Sequence, residues 1–327
     1  MTPKQRYLAL VKGEKPDGFV NQYDYLHLVF SDPISNLEKR VKGGTSVCPW
    51  GVTFKWREDE FAATPYITEE TKVCKDITEW QEYVHAPSLD VPEEAWEAAK
   101  AEIAAVDREE QLVGLFFPTG VFERFHFLMG FEDALCNLLI EPECCHELLE
   151  YITDWRIDYI ARCLDHLDLD VVFSHDDWGS KYSTFLSPEV WREFFKPCYE
   201  RIYGFIRSRG VRVIHHADSY CATMVEDMID LGIETWQGVI PTNNIPELQK
   251  KLGGRLILQG GFDSGVLDRE DVTEEEMRQH VREVIAQCAE GGGWIPSISN
   301  GDPDLLHPGR YDIVSDEIAK QSKIYFK

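Results

Sequence analysis

Apolar positions recur along the chain in two alternating patterns. Short runs of branched and aromatic residues, each closed by Gly, Pro or Asp, are separated by longer stretches in which apolar residues return at every third and fourth place. The runs at 18–28 (GFVNQYDYLHL), 112–120, 168–179, 211–216, 233–240, 255–263 and 292–299 read as strands. Residues 144–167 read as a long amphipathic helix with Leu148, Ile152, Trp155, Tyr159 and Cys163 on one face. Ser187 followed by Pro188 has the form of an N-cap with proline at the first helical position, and Pro197 predicts a kink further on. Thr273 and Glu276 have capping-box spacing before another helix.

Seven or eight βα units of this kind, joined by short connections, predict a parallel sheet. No glycine-rich turn follows the first strand, as it would in an open doubly wound sheet. The expectation is therefore a closed (β/α)8 TIM barrel, one domain over residues 1–327. Residues 44–90 break the rhythm with strand-like pieces rich in Trp50, Phe54, Trp56, Phe61 and Tyr66. They read as an aromatic-rich insertion after the first strand, expected against the barrel mouth.

A barrel carries its active site at the C-terminal ends of its strands, and polar residues gather at those ends. The first strand has Asn21, Gln22, Tyr23, Asp24 and His27; the second leads to Glu123, Arg124 and His126. The next two end in His175, Asp176 and Asp177 and in His215, His216 and Asp218. Later strands offer Gln237, Gln259, Asp263, Ser297, Ser299 and Asn300. Side chains alternate along a strand, so only one of His215 and His216 should face the mouth, and Asp176 and Asp177 should point apart. His216 and Asp218, with Cys221 close behind, are residue types that zinc accepts; Cys221 also reads as a small buried residue.

Charge narrows the partners. The chain has 33 basic and 58 acidic residues, a formal charge of −25. That disfavours nucleic acid and anionic membrane surfaces, both of which need a positive footprint. The start is polar rather than signal-like, and no run approaches the roughly 18 apolar residues of a membrane span. Nine cysteines, an odd number without a C-x-x-C pair, fit a reduced cytoplasm rather than a disulfide framework.

Four stretches together resemble the uroporphyrinogen decarboxylase superfamily: 176–203 (beginning DDWGS), 213–238 (VIHHADSYC), 256–268 (LILQGGFDSGVLD) and 291–301 (GGGWIPSISNG). Within it, the DDWG stretch and the aromatic insertion resemble corrinoid-dependent methyltransferases of the O-demethylase type. That resemblance implies a barrel enzyme that moves a methyl group from a small methoxylated aromatic to cob(I)alamin on a separate corrinoid protein. No D-x-H-x-x-G corrinoid motif is present in the chain itself. True decarboxylases carry an arginine-rich motif after the first strand, where this chain has NQYDYLHL.

Thiol-methylating relatives have a His-x-Cys-Gly zinc motif; here His216 matches, but Asp218 and Ser219 replace the last two residues, and Ser299 falls near a second expected cysteine. The resemblance implies a harder, oxygen-containing zinc site at His216 and Asp218, completed by Cys221 or by a residue of the His175–Asp176–Asp177 strand end. Asp177, His216 and Glu123 are the candidate catalytic groups. Gln22, Tyr23, Trp50, Trp56, His175 and Gln259 are the candidate substrate-binding groups. A metal-free lyase of unknown substrate, with Asp177 and His216 as acid and base, and a methyltransferase with another donor are the alternatives.

Overall fold

The computed structural model describes residues 1–35, 40–60, 62–299 and 306–327. The expectations on Phe61 and Asn300 lie outside these residues. Seven strands form one all-parallel sheet: β1 (Leu26–Val29), β5 (Leu112–Phe117), β6 (Val171–His175), β7 (Arg212–His216), β8 (Thr235–Val239), β9 (Ile257–Phe262) and β10 (Trp294–Ile298), paired in that order. Helices cover its outer face, including α4 (Val121–Met129), α6 (Pro142–His166) and α8 (Lys196–Ser208). The α/β TIM-barrel fold of the sequence reading is the observed one.

Two apolar layers hold it together. Alternate strand residues Leu26, Leu112, Val171, Phe173, Ile214, Ile257 and Ile295 fill the barrel interior. Their neighbours Val113, Leu115, Val172, Val213 and Leu258 pack outward against helix residues such as Leu148, Ile152 and Ile202. Helix α1 (Pro3–Val11) plugs the N-terminal end: Tyr7 stacks on Tyr25 at 4.1 Å and donates to Glu234 at 2.8 Å.

The first strand is shorter than predicted. The stretch 18–28 contains a turn in which Asp24 N–H donates to Asn21 O at 3.0 Å and Leu26 N–H to Tyr23 O at 2.9 Å. Gln22 takes a φ of 51° there. Its N–H donates to Pro296 O at 3.1 Å, so residues before the turn meet β10 while β1 after it meets β5. Asn21, Gln22, Tyr23 and Asp24 thus precede β1 instead of following it. Runs of alternating polar and aromatic residues do not by themselves separate a strand from a turn.

The insertion forms a three-stranded antiparallel sheet, β2 (Gly44–Val47), β3 (Thr53–Trp56) and β4 (Thr64–Pro65). Trp50 meets Trp155 and Tyr151 of α6 edge-on at 5.1 and 6.4 Å, and Phe54 meets Phe127 of α4 at 5.9 Å. Its aromatic residues pack it onto these two helices.

Candidate active site

Strand register creates the site. His175 lies opposite His216, His216 opposite Gln237, and Gln237 opposite Gln259. Four neighbouring strands therefore place polar side chains on one level of the interior, directly above the apolar layer. Alternation decides which residues these are. His175 and Asp177 follow the inward Val171 and Phe173, and His216 follows the inward Ile214. The ligand atoms of His175, Asp177 and His216 all lie within 4.8 Å of one another.

Each imidazole is held from behind. His175 Nδ1 is 3.4 Å from Glu123 Oε2, and His216 Nδ1 bonds the Gln237 amide oxygen. The Gln237 amide nitrogen in turn donates to Ser299 O at 3.2 Å. Both rings are thereby fixed through Nδ1, which leaves Nε2 for the mouth. The two rings stack at 4.4 Å. Burial alone would push His175 down, but the Glu123 carboxylate outweighs it and holds the ring at about 9. His216 falls to about 4, through burial and then the neighbouring His175 charge. Asp177 is raised well above the ordinary carboxylate range by burial and then by Asp218.

Glu123 is delivered by a helix start. It occupies the first turn of α4, which follows directly on the C-terminal end of β5. Asp176, the outward neighbour of Asp177, accepts the backbone N–H groups of Phe122 and Glu123 at 2.9 Å each. Trp178 Nε1 at 3.3 Å and the Tyr199 hydroxyl hold the same carboxylate. A Cβ on Gly120 would run into the Asp176 carboxyl group, so the approach requires glycine. Arg156 of α6 clamps the preceding backbone, donating to Pro118 O at 3.2 Å and to Thr119 O.

The remaining expected residues fall into three groups. His215 points outward and is buried, stacked on Trp178 at 3.9 Å with Nδ1 2.8 Å from the Tyr203 hydroxyl. Gln22 and Gln259 serve the barrel seam. Gln22 donates to Ser315 Oγ at 2.6 Å and accepts from Ile298 N–H; Gln259 accepts from Tyr25 OH at 2.8 Å and donates to Gln22 O at 3.1 Å. Trp50 is buried, and Trp56 donates to Glu60 O at 3.0 Å. Tyr23 is 6.4 Å from Phe173, which with Phe116 forms an aromatic wall beside His175.

The expected metal set changes in membership. Asp218 lies past the end of β7 and is exposed; it donates its backbone N–H to Asp177 Oδ1 at 3.0 Å, and its carboxylate acts on Asp177 through charge. Cys221 is buried with its sulfur 3.4 Å from Ser219 Oγ, and burial pushes the thiol to about 12. Neither joins His216 in the cluster; His175 and Asp177 do. Alternation along 171–177 carried that signal, applied over the whole strand rather than to adjacent pairs. Asp176, Gln237 and Arg156 as supports of the site were not anticipated from sequence.

A parallel barrel, plugged at one end, with histidines and carboxylates converging at the other, defines the TIM-barrel class, here with seven strands among the described residues. The chain belongs to the uroporphyrinogen decarboxylase family, whose model, "Uroporphyrinogen decarboxylase (URO-D)", matches residues 48–305. Curated relatives are distant. The uroporphyrinogen decarboxylase of Cellvibrio japonicus is 28% identical over 188 residues, 55% of this chain and 50% of that protein. The one from Neisseria meningitidis is 23% identical over 252 residues, 74% of this chain and 68% of that protein. The chain thus spans about half the length of the Cellvibrio relative. A methyltransferase from Methanosarcina mazei shares the fold over 99% of both chains, with a TM-score of 0.63 and 16% identity. Among the described residues, no helix is long and apolar enough to cross a membrane.

Proposed function

We propose that the protein is a methyltransferase that moves a methyl group from a small methoxylated aromatic to cob(I)alamin carried by a separate corrinoid protein. The observation that supports this most is the pair of inward histidines, each backed through Nδ1, beside the half-buried Asp177 carboxyl group and an aromatic wall. Such a site suits a reaction in which a phenolate must leave while a reduced cobalt takes the methyl group. The ether C–O bond breaks, a cobalt–carbon bond forms, and the phenolate oxygen gains a proton.

The donors at His175, Asp177 and His216 fit zinc: two nitrogens and one oxygen, with a fourth position open to substrate. A metal-binding histidine usually gives its other ring nitrogen to an acceptor, as Glu123 and Gln237 provide here. Zinc held there would supply a Lewis acid at the ether oxygen. Glu123 and Gln237 would fix the two rings, and Phe116 and Phe173 would carry the substrate ring.

A metal-free form of the same reaction has its own support. His175 at about 9 lies close to a phenol at about 10. Proton donation from its Nε2–H to the departing oxygen would be nearly balanced. Metal analysis of the purified protein separates these two forms. The reading itself is tested by following cob(I)alamin as it becomes methylcobalamin, with a panel of methoxybenzenes, methoxyphenols and other O-methyl, N-methyl and S-methyl donors. Methylcobalamin formed from the methoxyarenes supports it. No methylcobalamin from any donor overturns it and leaves a metal-free lyase.

A further inference from the structure

The turn that joins β5 to α4, Pro118, Thr119 and Gly120, is held in an unusual shape. Thr119 takes a φ of 47°. That left-handed region is open to glycine and, less readily, to asparagine; a branched side chain rarely holds it. Such a conformation persists only where its surroundings enforce it. Arg156 of α6 does so here, and its side chain is buried. Its guanidinium lies 3.8 Å over the Phe117 ring. From there it reaches the carbonyl oxygens of three successive residues: Phe117 at 3.5 Å, Pro118 at 3.2 Å, and Thr119.

The left-handed residue turns one peptide group around. The carbonyl end of the 119–120 peptide accepts from Arg156, and its N–H end, on Gly120, donates to Glu123 Oε2 at 3.3 Å. That same oxygen lies 3.4 Å from His175 Nδ1. One peptide is thus pinned at both ends, by a buried cation at its oxygen and by the site carboxylate at its nitrogen. A cation at the carbonyl polarises the amide and strengthens its N–H as a donor. Asp176 grips only the backbone N–H of Glu123; the carboxylate of Glu123 is tied by Gly120. None of these contacts uses the Thr119 hydroxyl.

We propose that Thr119 and Arg156 are positioning residues, which together fix the 119–120 peptide so that Gly120 N–H holds the Glu123 carboxylate against His175. With its carbonyl gripped, a branched residue has few other conformations to move to, whereas glycine would let the peptide turn over. Their bearing on methyl transfer rests on the function proposed above; the pinned peptide does not.

The test is spectroscopic and needs no turnover. In metal-free, full-length protein with isotope-labelled histidine, exchange of the His175 Nδ1–H with water is followed by NMR. Exchange of core amides of β6, such as Val172 N–H, reports overall opening. Thr119→Gly should quicken exchange of the ring N–H about 2- to 5-fold, the freedom that glycine adds to one residue, and leave the core amides unchanged. Thr119→Asn tolerates the left-handed region and should keep the slow exchange of the unaltered protein. Arg156→Lys should quicken the same N–H, because an ammonium cannot serve three carbonyls as a planar fork does. Should this buried variant misfold, the two Thr119 variants decide alone. A ring N–H indifferent to Thr119→Gly overturns the proposal, as does one disturbed equally by Thr119→Asn. Equal quickening of ring and core N–H groups marks a role in stability alone and overturns it too. The expected pattern without methylcobalamin from any donor supports the pinned peptide and removes methyl transfer.

Discussion

Glu123 and His175 face each other at 3.4 Å, one from the first turn of a helix and the other from the end of a strand. Their separation is fixed by neither side chain. It is fixed by Asp176, which belongs to the same strand as His175 and grips the backbone of Glu123. One strand therefore aims its histidine inward and positions the histidine's partner from its outward side.

That pairing predicts a pH response. His175 titrates at about 9 in the folded protein, above an unfolded value of about 6.5. A group raised on folding contributes stability fully below its unfolded pKa and loses it as pH rises through its folded one. The metal-free protein should lose stability between about pH 6.5 and pH 9. Glu123→Gln should flatten this loss and bring the His175 titration down, as read by proton NMR of the imidazole and by melting curves across that range.

Asp176→Ala should destabilise the fold. It would leave two N-terminal N–H groups of α4 without their acceptor in a buried place. A loss of about 1–3 kcal/mol is expected, measured by urea denaturation. Asp176→Asn should recover only part of it, since an amide offers one acceptor oxygen where the carboxylate uses both.

Gln237→Leu should loosen the His216 ring while leaving the strand intact. If zinc occupies the site, its affinity should fall about 10- to 100-fold, the usual cost of losing a partner behind a ligand. Competition with a chromophoric chelator measures this. An unchanged zinc affinity would mean that the Gln237 contact does not support a zinc ligand.

Asp177→Asn and His216→Ala should slow methyl transfer far more than they weaken substrate binding. A fall in kcat of about 10²–10⁴-fold with KM nearly unchanged marks groups whose contribution arises in the transition state. Stopped-flow formation of methylcobalamin gives both constants.

Much of this architecture was legible in the sequence. The helix at 144–167 is α6 within two residues at its start, the capping box at Thr273 and the N-cap at Ser187 are present, and the strand cores after the first fall where patterning put them. Alternation also separated His215 from His216 and Asp176 from Asp177 in principle. What periodicity could not supply was register between strands, which brings His175, His216 and Gln237 to one level though they are far apart in sequence. The same register decides which candidate ligands meet His216: His175 and Asp177 from the neighbouring strand end do, and Asp218 and Cys221 stand outside that cluster. Asp218 and Cys221 are close to His216 along the chain, but the strand has ended by then, and the nearer partners come from the next strand over. The aromatic insertion was visible as well, yet Trp50 serves packing, because residue type alone does not separate a core ring from a ligand-holding one.

The seam at Gln22 sets the order of events at the ribosome. Its amide reaches Ile298, 276 residues further on, so that its partner is made long after it. The barrel cannot be sealed while the chain is still being made, since the half of the lock carried by β10 does not yet exist. Until then the first strand has only β5 to pair with, and its other edge is bare. Nascent chains stalled before residue 294 should therefore be sensitive to protease and to aggregation at their amino-terminal end, the part that was made first.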